Sequence, residues 1–223
     1  MKKVIIQGDE MGESFIESEA DQAIKDIEGI LEIALPFALK IRLHNSRKDY
    51  EKCVNKYDTR DWEVGNTNSN NEIDIFNPDI FEKESSHKKE DFPKILKHEI
   101  AHVYIRQLAG DRAIPMWLNE GLAMYLSDQV SQYTKKGGFY IESNYASKLS
   151  TQFGWDKYAD YDAYEFACLF LGYLVKNYSI KKLVQLITSL DRNYYEPHFR
   201  IKFERIFNST LEKLEVCFID ELM

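Results

Sequence analysis

Lys97-His98-Glu99-Ile100-Ala101-His102, or KHEIAH, lies in a run whose apolar spacing predicts a helix from Pro93 to Ala109, closed by Gly110. In a helix His98 and His102 stand one turn apart, so both imidazoles leave one face and can share one metal ion at about 2.1 Å. Glu99 lies between them, within reach of a water on such a metal as its general base. The chain changes character around this helix. Before it come short strands, turns and one long amphipathic helix, and after it the pattern is almost wholly helical, which is the order of an α+β protein.

With 223 residues, 44% of them hydrophobic and 13% aromatic, the chain can bury a core in one domain or in two closely fused lobes. No internal repeat or low-complexity tract divides it. The expectation is one unit over 1–223, with an α+β lobe at 1–109 and a helical lobe at 110–223. A net charge of -8 argues against a nucleic-acid or anionic-membrane surface, so the expected partner is a peptide or protein. The sequence does not determine an oligomeric state. The stretch Met1 to Asp9 lacks the apolar core of a secretory signal, and no run of about 18 apolar residues follows. Three cysteines, Cys53, Cys168 and Cys217, are an odd number without ligand-like spacing and read as reduced thiols. Together these features predict a cytoplasmic protein.

Along the first lobe, Lys3 to Ile6 reads as a strand and Glu13 to Ile33 as an amphipathic helix ended by Pro36. Phe37 to Leu43 alternates as a strand, Asp49 to Tyr57 suits a short helix, and Glu72 to Phe76 alternates as a half-buried strand. The stretch Gly65 to Asn71 reads either as a loop or as part of another strand. Asp91 is the expected N-cap of the KHEIAH helix, with Pro93 in its first turn. In the second lobe a helix opens at Pro115 and runs to about Asp128. Gly137-Gly138 breaks the pattern, and Ala163–Tyr178, Lys181–Leu190 and Leu211–Leu222 read as further helices. His44, His87 and His198 are scattered in polar contexts and read as surface or structural histidines.

A catalytic zinc takes three protein ligands and leaves one position to water. A three-histidine site would need His at the sixth residue after His102, but Leu108 stands there and Ile105 replaces the glycine that would precede it. The returning segment Pro115-Met116-Trp117-Leu118-Asn119-Glu120-Gly121-Leu122-Ala123 offers a carboxylate instead. At about 1.5 Å per helical residue, His102 lies about 12 Å from the break at Gly110, and Glu120 about 8 Å into the next helix. Those lengths let Glu120 sit beside the histidines as the third ligand.

On His98-Glu99-Ile100-Ala101-His102, on Trp117-Leu118-Asn119-Glu120-Gly121-Leu122-Ala123, and on Asp162-Ala163-Tyr164-Glu165-Phe166-Ala167 before an apolar helix, the chain resembles the gluzincin metallopeptidases. The likeness is to their small peptidase-MA-like group and, more distantly, to the zinc aminopeptidases. The resemblance implies a zincin-like fold: a twisted mixed sheet with a flanking helix, the zinc helix, and a mostly helical C-terminal lobe. It implies one Zn²⁺ per chain on His98, His102 and Glu120, hydrolysis of a peptide bond, Glu99 as general base, and a tyrosine hydroxyl on the oxyanion. Tyr164 matches that tyrosine, and Tyr161 is the alternative in a chain with 14 tyrosines.

The departures narrow the expectation. Thermolysin-like relatives orient a zinc histidine with an aspartate four residues after the glutamate ligand, where this chain has Met124. Aminopeptidase relatives carry a Gly-Ala-Met-Glu-Asn edge strand whose glutamate holds a free amine. The corresponding stretch here, Gly65-Asn66-Thr67-Asn68-Ser69, has no carboxylate. The expected activity is therefore that of a zinc endopeptidase rather than an aminopeptidase, with substrate along an edge strand near Val64 to Asn68. The alternative is a zinc-binding regulatory or interaction module without turnover.

Overall fold

A computed structural model describes residues 4–8, 13–69, 72–130 and 144–222. The protein is α+β, and the chain divides into two compact units, 1–107 and 108–223.

Unit 1 is built on strands β1 (Val4–Gln7), β2 (Leu39–His44), β3 (Gly65–Ser69) and β4 (Glu72–Phe76), in the spatial order β1-β2-β4-β3. β1, β2 and β4 run parallel, and β3 returns antiparallel on β4 as an edge strand, so the sheet is mixed. The stretch Gly65 to Asn71, left open between loop and strand by its composition, thus forms β3 as far as Ser69. Its polar residues survive in a strand because an edge strand satisfies only one side of its backbone and tolerates polar side chains.

Side chains alternate across the sheet. Leu39, Ile41, Ile73 and Ile75 are fully buried on one face, and the register sets Gly65 and Thr67 beside Ile75 and Ile73 on that same face. The other face carries Arg42, His44, Asp74 and Phe76, with Asn66 opposite Asp74.

Helix α1 (Glu13–Leu31) buries Ile16, Ala20, Ala23, Ile24, Ile27 and Leu31, the spacing of one helical stripe. It ends earlier than Ile33 because Glu32 turns left-handed, at φ 57. Helix α2 (Arg47–Val54) starts before the expected Asp49, since Ser46 caps it by accepting from the Asp49 N–H, and it stops at a left-handed Asn55. Helix α3 (Phe81–Glu84) and a 3-10 turn at Lys89–Asp91 lead into α4 (Phe92–Ala109). Asp91 is not the N-cap of α4. Its carboxylate accepts from the Lys88 N–H and closes the preceding turn, and α4 follows without a break.

Helix α4 carries KHEIAH and is buried on most sides through Phe92, Leu96, Ile100, Ala101, Val103, Tyr104 and Ile105. At about 1.5–3 kcal/mol for each fully buried large aliphatic or aromatic side chain, this helix is held by its core contacts more than by local propensity. Polar ties add direction: Lys97 pairs with Asp26 at 2.9 Å, and the Tyr104 hydroxyl donates to Glu28 at 3.1 Å, fixing α4 against α1.

Unit 2 is helical: α5 (Met116–Leu126), α6 (Tyr145–Lys148), α7 (Gln152–Tyr158), α8 (Ala163–Tyr178), α9 (Ile180–Ser189), α10 (Glu196–Phe207) and α11 (Leu211–Leu222). The helices expected from Pro115, at 163–178 and at 211–222 are present. The one expected at 181–190 lies a residue earlier, and α6, α7 and α10 add to them. The break expected at Gly137-Gly138 falls outside the described residues. The aromatic core runs through Trp117, Phe166, Phe170, Phe199, Phe203 and Phe218. Helices α5 and α8 cross closely at Gly121, where a β-carbon would stand 2.4 Å from the Ala167 carbonyl oxygen. No helix among the described residues is long and apolar enough to cross a membrane.

Candidate metal centre

In unit 1 the two histidines of α4 converge. Their Nε2 atoms lie 3.0 Å apart, with ring centroids at 4.7 Å and planes at 85°. Two imidazole lone pairs that close repel unless a proton or a cation stands between them. A tetrahedral zinc with bonds of about 2.1 Å separates its ligand atoms by about 3.4 Å, so the pair needs to open only slightly to hold that ion.

Glu99 follows His98 on the same helix and is only 7% exposed. The Thr67 hydroxyl on β3 is 2.7 Å from Glu99 Oε2 and 3.0 Å from the Glu99 carbonyl oxygen. β3 is itself braced: Tyr50 donates to the Gly65 carbonyl at 2.9 Å, and Arg106 to the Thr67 carbonyl at 3.0 Å. Burial pushes the Tyr50 phenol well above its usual range, with the Glu99 charge adding to it. Burial also pulls the Arg106 guanidinium down, opposed by Glu99.

A second group of side chains of metal-ligating type carries no signal in the sequence. His44, Cys53 and Asp74 bring ligand atoms within 4.8 Å of one another. Asp74 Oδ1 already accepts from Arg42 Nε at 2.8 Å and Cys53 at 3.2 Å, and lies 2.8 Å from His44 Nε2. Oδ2 accepts from Arg42 Nη2 at 2.9 Å and from Asn68. Burial acts to raise the Asp74 pKa, but hydrogen bonds from His44, Arg42 and Cys53 outweigh it and hold the carboxyl far below the usual range. A cation here would have to displace a bidentate guanidinium, so the donor set describes a saturated buried carboxylate. Cys53 is a free thiol, and its raised pKa comes first from burial and then from its bond to Asp74. His87 contacts the Trp62 carbonyl and His198 contacts Asp191, both structural or surface roles as expected.

In unit 2, Glu120 sits on α5 between Asn119 and Gly121 and is 8% exposed, rare burial for a glutamate. Met124, one turn on, is buried in the core and supplies no carboxylate. Asp128 stands exposed beyond the end of α5, with a left-handed backbone. Tyr164 opens α8, half-buried, with its ring edge-on to Trp155 at 4.8 Å. Tyr161 precedes that helix and is 80% exposed.

No protein-family model matches this chain, and no curated protein matches it in sequence. Among the described residues, His, Cys, Asp and Glu side chains gather into groups of the kind that can hold a metal ion.

Proposed function

We propose that the chain is a zinc-dependent endopeptidase in which His98, His102 and Glu120 hold one zinc. The observation that carries this reading is the pair of Nε2 atoms at 3.0 Å on a helix whose residue after His98 is the nearly buried Glu99. The histidines belong to unit 1 and Glu120 to unit 2, so the convergence of the third ligand is part of the proposal. Its supports are the short connection from Ala109 to Met116 and the burial of Glu120.

Zinc so bound would polarise a scissile carbonyl and acidify a water. Glu99 takes the proton of the attacking water and returns it to the leaving amine. Tyr164, rather than the exposed Tyr161, is the proposed donor to the developing oxyanion; its position on the first turn of α8 against Trp155 limits the movement of its ring. Substrate runs along β3. The two carboxylates flanking that strand are engaged elsewhere: Glu63 with Lys56 at 3.5 Å, and Glu72 with Lys40 and Arg42 at 3.3 Å each. A free amine would have to compete with these lysines and Arg42 for either carboxylate, which favours an endopeptidase.

The test combines zinc stoichiometry by atomic emission with hydrolysis of internally quenched peptides, their amino termini free or acetylated. The parent should hold one zinc and cleave both peptide forms at similar rates. His98→Ala, His102→Ala and Glu120→Ala should each lose most of the zinc and the activity. Full zinc retention by Glu120→Ala would refute the third ligand. Zinc without hydrolysis in the parent would favour a zinc-binding module without turnover, and a strict need for the free amine would refute the endopeptidase reading.

A further inference from the structure

Strand β3 treats the two oxygens of Glu99 differently. Oε2 is tied to the Thr67 hydroxyl at 2.7 Å. Oε1 lies against Gly65, where a β-carbon would come within 2.9 Å of it, 2.9 Å of Glu99 Cγ and 3.1 Å of Cδ. Residues 65 and 67 share a face of the strand, so one dipeptide repeat supplies both the clearance and the tether. The carbonyls of these same two residues are the ones that Tyr50 and Arg106 brace. The brace holds the tether in place, and the tether fixes the carboxylate.

We propose that Gly65 and Thr67 form the seat of Glu99 and assign its oxygens: Thr67 is a positioning residue that commits Oε2 to the fold and leaves Oε1 to carry the proton. This rests on the peptidase reading above. As the water oxygen bonds to the scissile carbon, its proton moves to Oε1. As the C–N bond breaks, that proton passes from Oε1 to the leaving nitrogen. Oε2 keeps its hydrogen bond throughout, so the carboxylate does not rotate between the two transfers. Gly65 is required because a methyl group there occupies the space of Cγ and Oε1. Its backbone φ lies outside the left-handed region, so alanine fits the strand itself and strains only the glutamate.

The experiment uses the zinc-loaded full chain with fluorescein-labelled casein. Thr67→Val should lower kcat about 10-fold to 10²-fold with KM and zinc content unchanged, because it misplaces the base without touching a ligand. Thr67→Ser should restore kcat to within about 3-fold of the parent. Gly65→Ala should keep the parental circular dichroism and lose at least as much kcat as Thr67→Val. A second readout needs no activity. Thr67→Val should lower the thermal midpoint by about 2–4 °C in the parent, and by clearly less in a Glu99→Met background, where only the bond to the main-chain carbonyl remains to be lost. An active parent with Thr67→Val inside twofold of its kcat would overturn the proposal, as would equal midpoint shifts in the two backgrounds. A parent that leaves casein intact would defeat the peptidase reading alone, and the midpoints would still decide the seat.

Discussion

Asp74 and Glu99 are both nearly buried carboxylates, and the same five-residue strand serves them from its opposite faces. Asn68 of β3 reaches Asp74, while Thr67 reaches Glu99. Asp74 is completely buried and both its oxygens are filled by Arg42, His44, Cys53 and Asn68. Among the described residues, Glu99 has one oxygen tied to a single neutral hydroxyl and the other facing a glycine. A buried charge with every lone pair satisfied stabilises one register of the sheet and is unavailable for chemistry. A buried carboxylate reached by one neutral donor contributes less to the fold and keeps lone pairs available to a reacting proton. Which of the two a carboxylate becomes is set by the donors that reach it.

The largest expected effect separates the two most clearly. Glu99→Gln keeps the shape and the proposed metal ligands but cannot accept a proton, so peptide hydrolysis should fall by about 10²-fold to 10⁴-fold with zinc still bound. Its urea midpoint should stay close to the parent's. A Glu99→Gln protein that hydrolyses peptides at the parental rate would remove the functional half of the contrast.

Asp74→Asn should do the reverse. It leaves Arg42 beside a neutral amide in a buried setting, and the expected loss of folding stability is about 3 kcal/mol, measured by urea unfolding. The sign with pH follows from the depressed pKa. The folded carboxyl ionises below its unfolded value of about 3.9, so its stabilisation is complete above that pH and fades as pH falls toward the folded value. The groups facing it are Arg42 and His44 from β2, Cys53 from α2, Asn68 from β3 and Glu72 from its own strand. Parent and Asp74→Asn stabilities should therefore converge as the pH drops below about 4. Parallel curves through that window would show that the charge of Asp74 contributes nothing to the fold.

The smallest effect comes from another buried carboxylate, in unit 2. Glu215 is 1% exposed; its Oε1 accepts from the Tyr145 and Ala146 amides, and its Oε2 has no hydrogen-bond partner among the described residues. Burial raises its pKa, and the two amides only partly offset that. A raised acid stabilises the fold fully below its unfolded pKa and loses that contribution as pH rises through the folded value. Glu215→Gln, uncharged throughout, should match the parent at pH 7 or exceed it by up to about 1 kcal/mol. If it is instead less stable by more than that, the two amides require a charged acceptor, and Glu215 belongs with Asp74.

The sequence alone predicted the α+β order, the helix bearing His98 and His102, the closing Gly110, and the helices that carry Glu120 and Tyr164. These features are local: a helical period of 3.6 residues puts positions four apart on one face, and caps and breakers act within a turn. Composition could not decide whether Gly65 to Asn71 was strand or loop, because edge-strand residues and loop residues overlap in polarity. It also gave no sign that Cys53, read as an ordinary thiol, and His44 meet at Asp74. Only the tertiary structure decided those points. Thr67 and Glu99 are 32 positions apart, as are Arg42 and Asp74, and such pairs depend on strand register. A slip of one residue would turn Thr67 away from Glu99 and Asn68 away from Asp74 together, because successive side chains of a strand point to opposite faces.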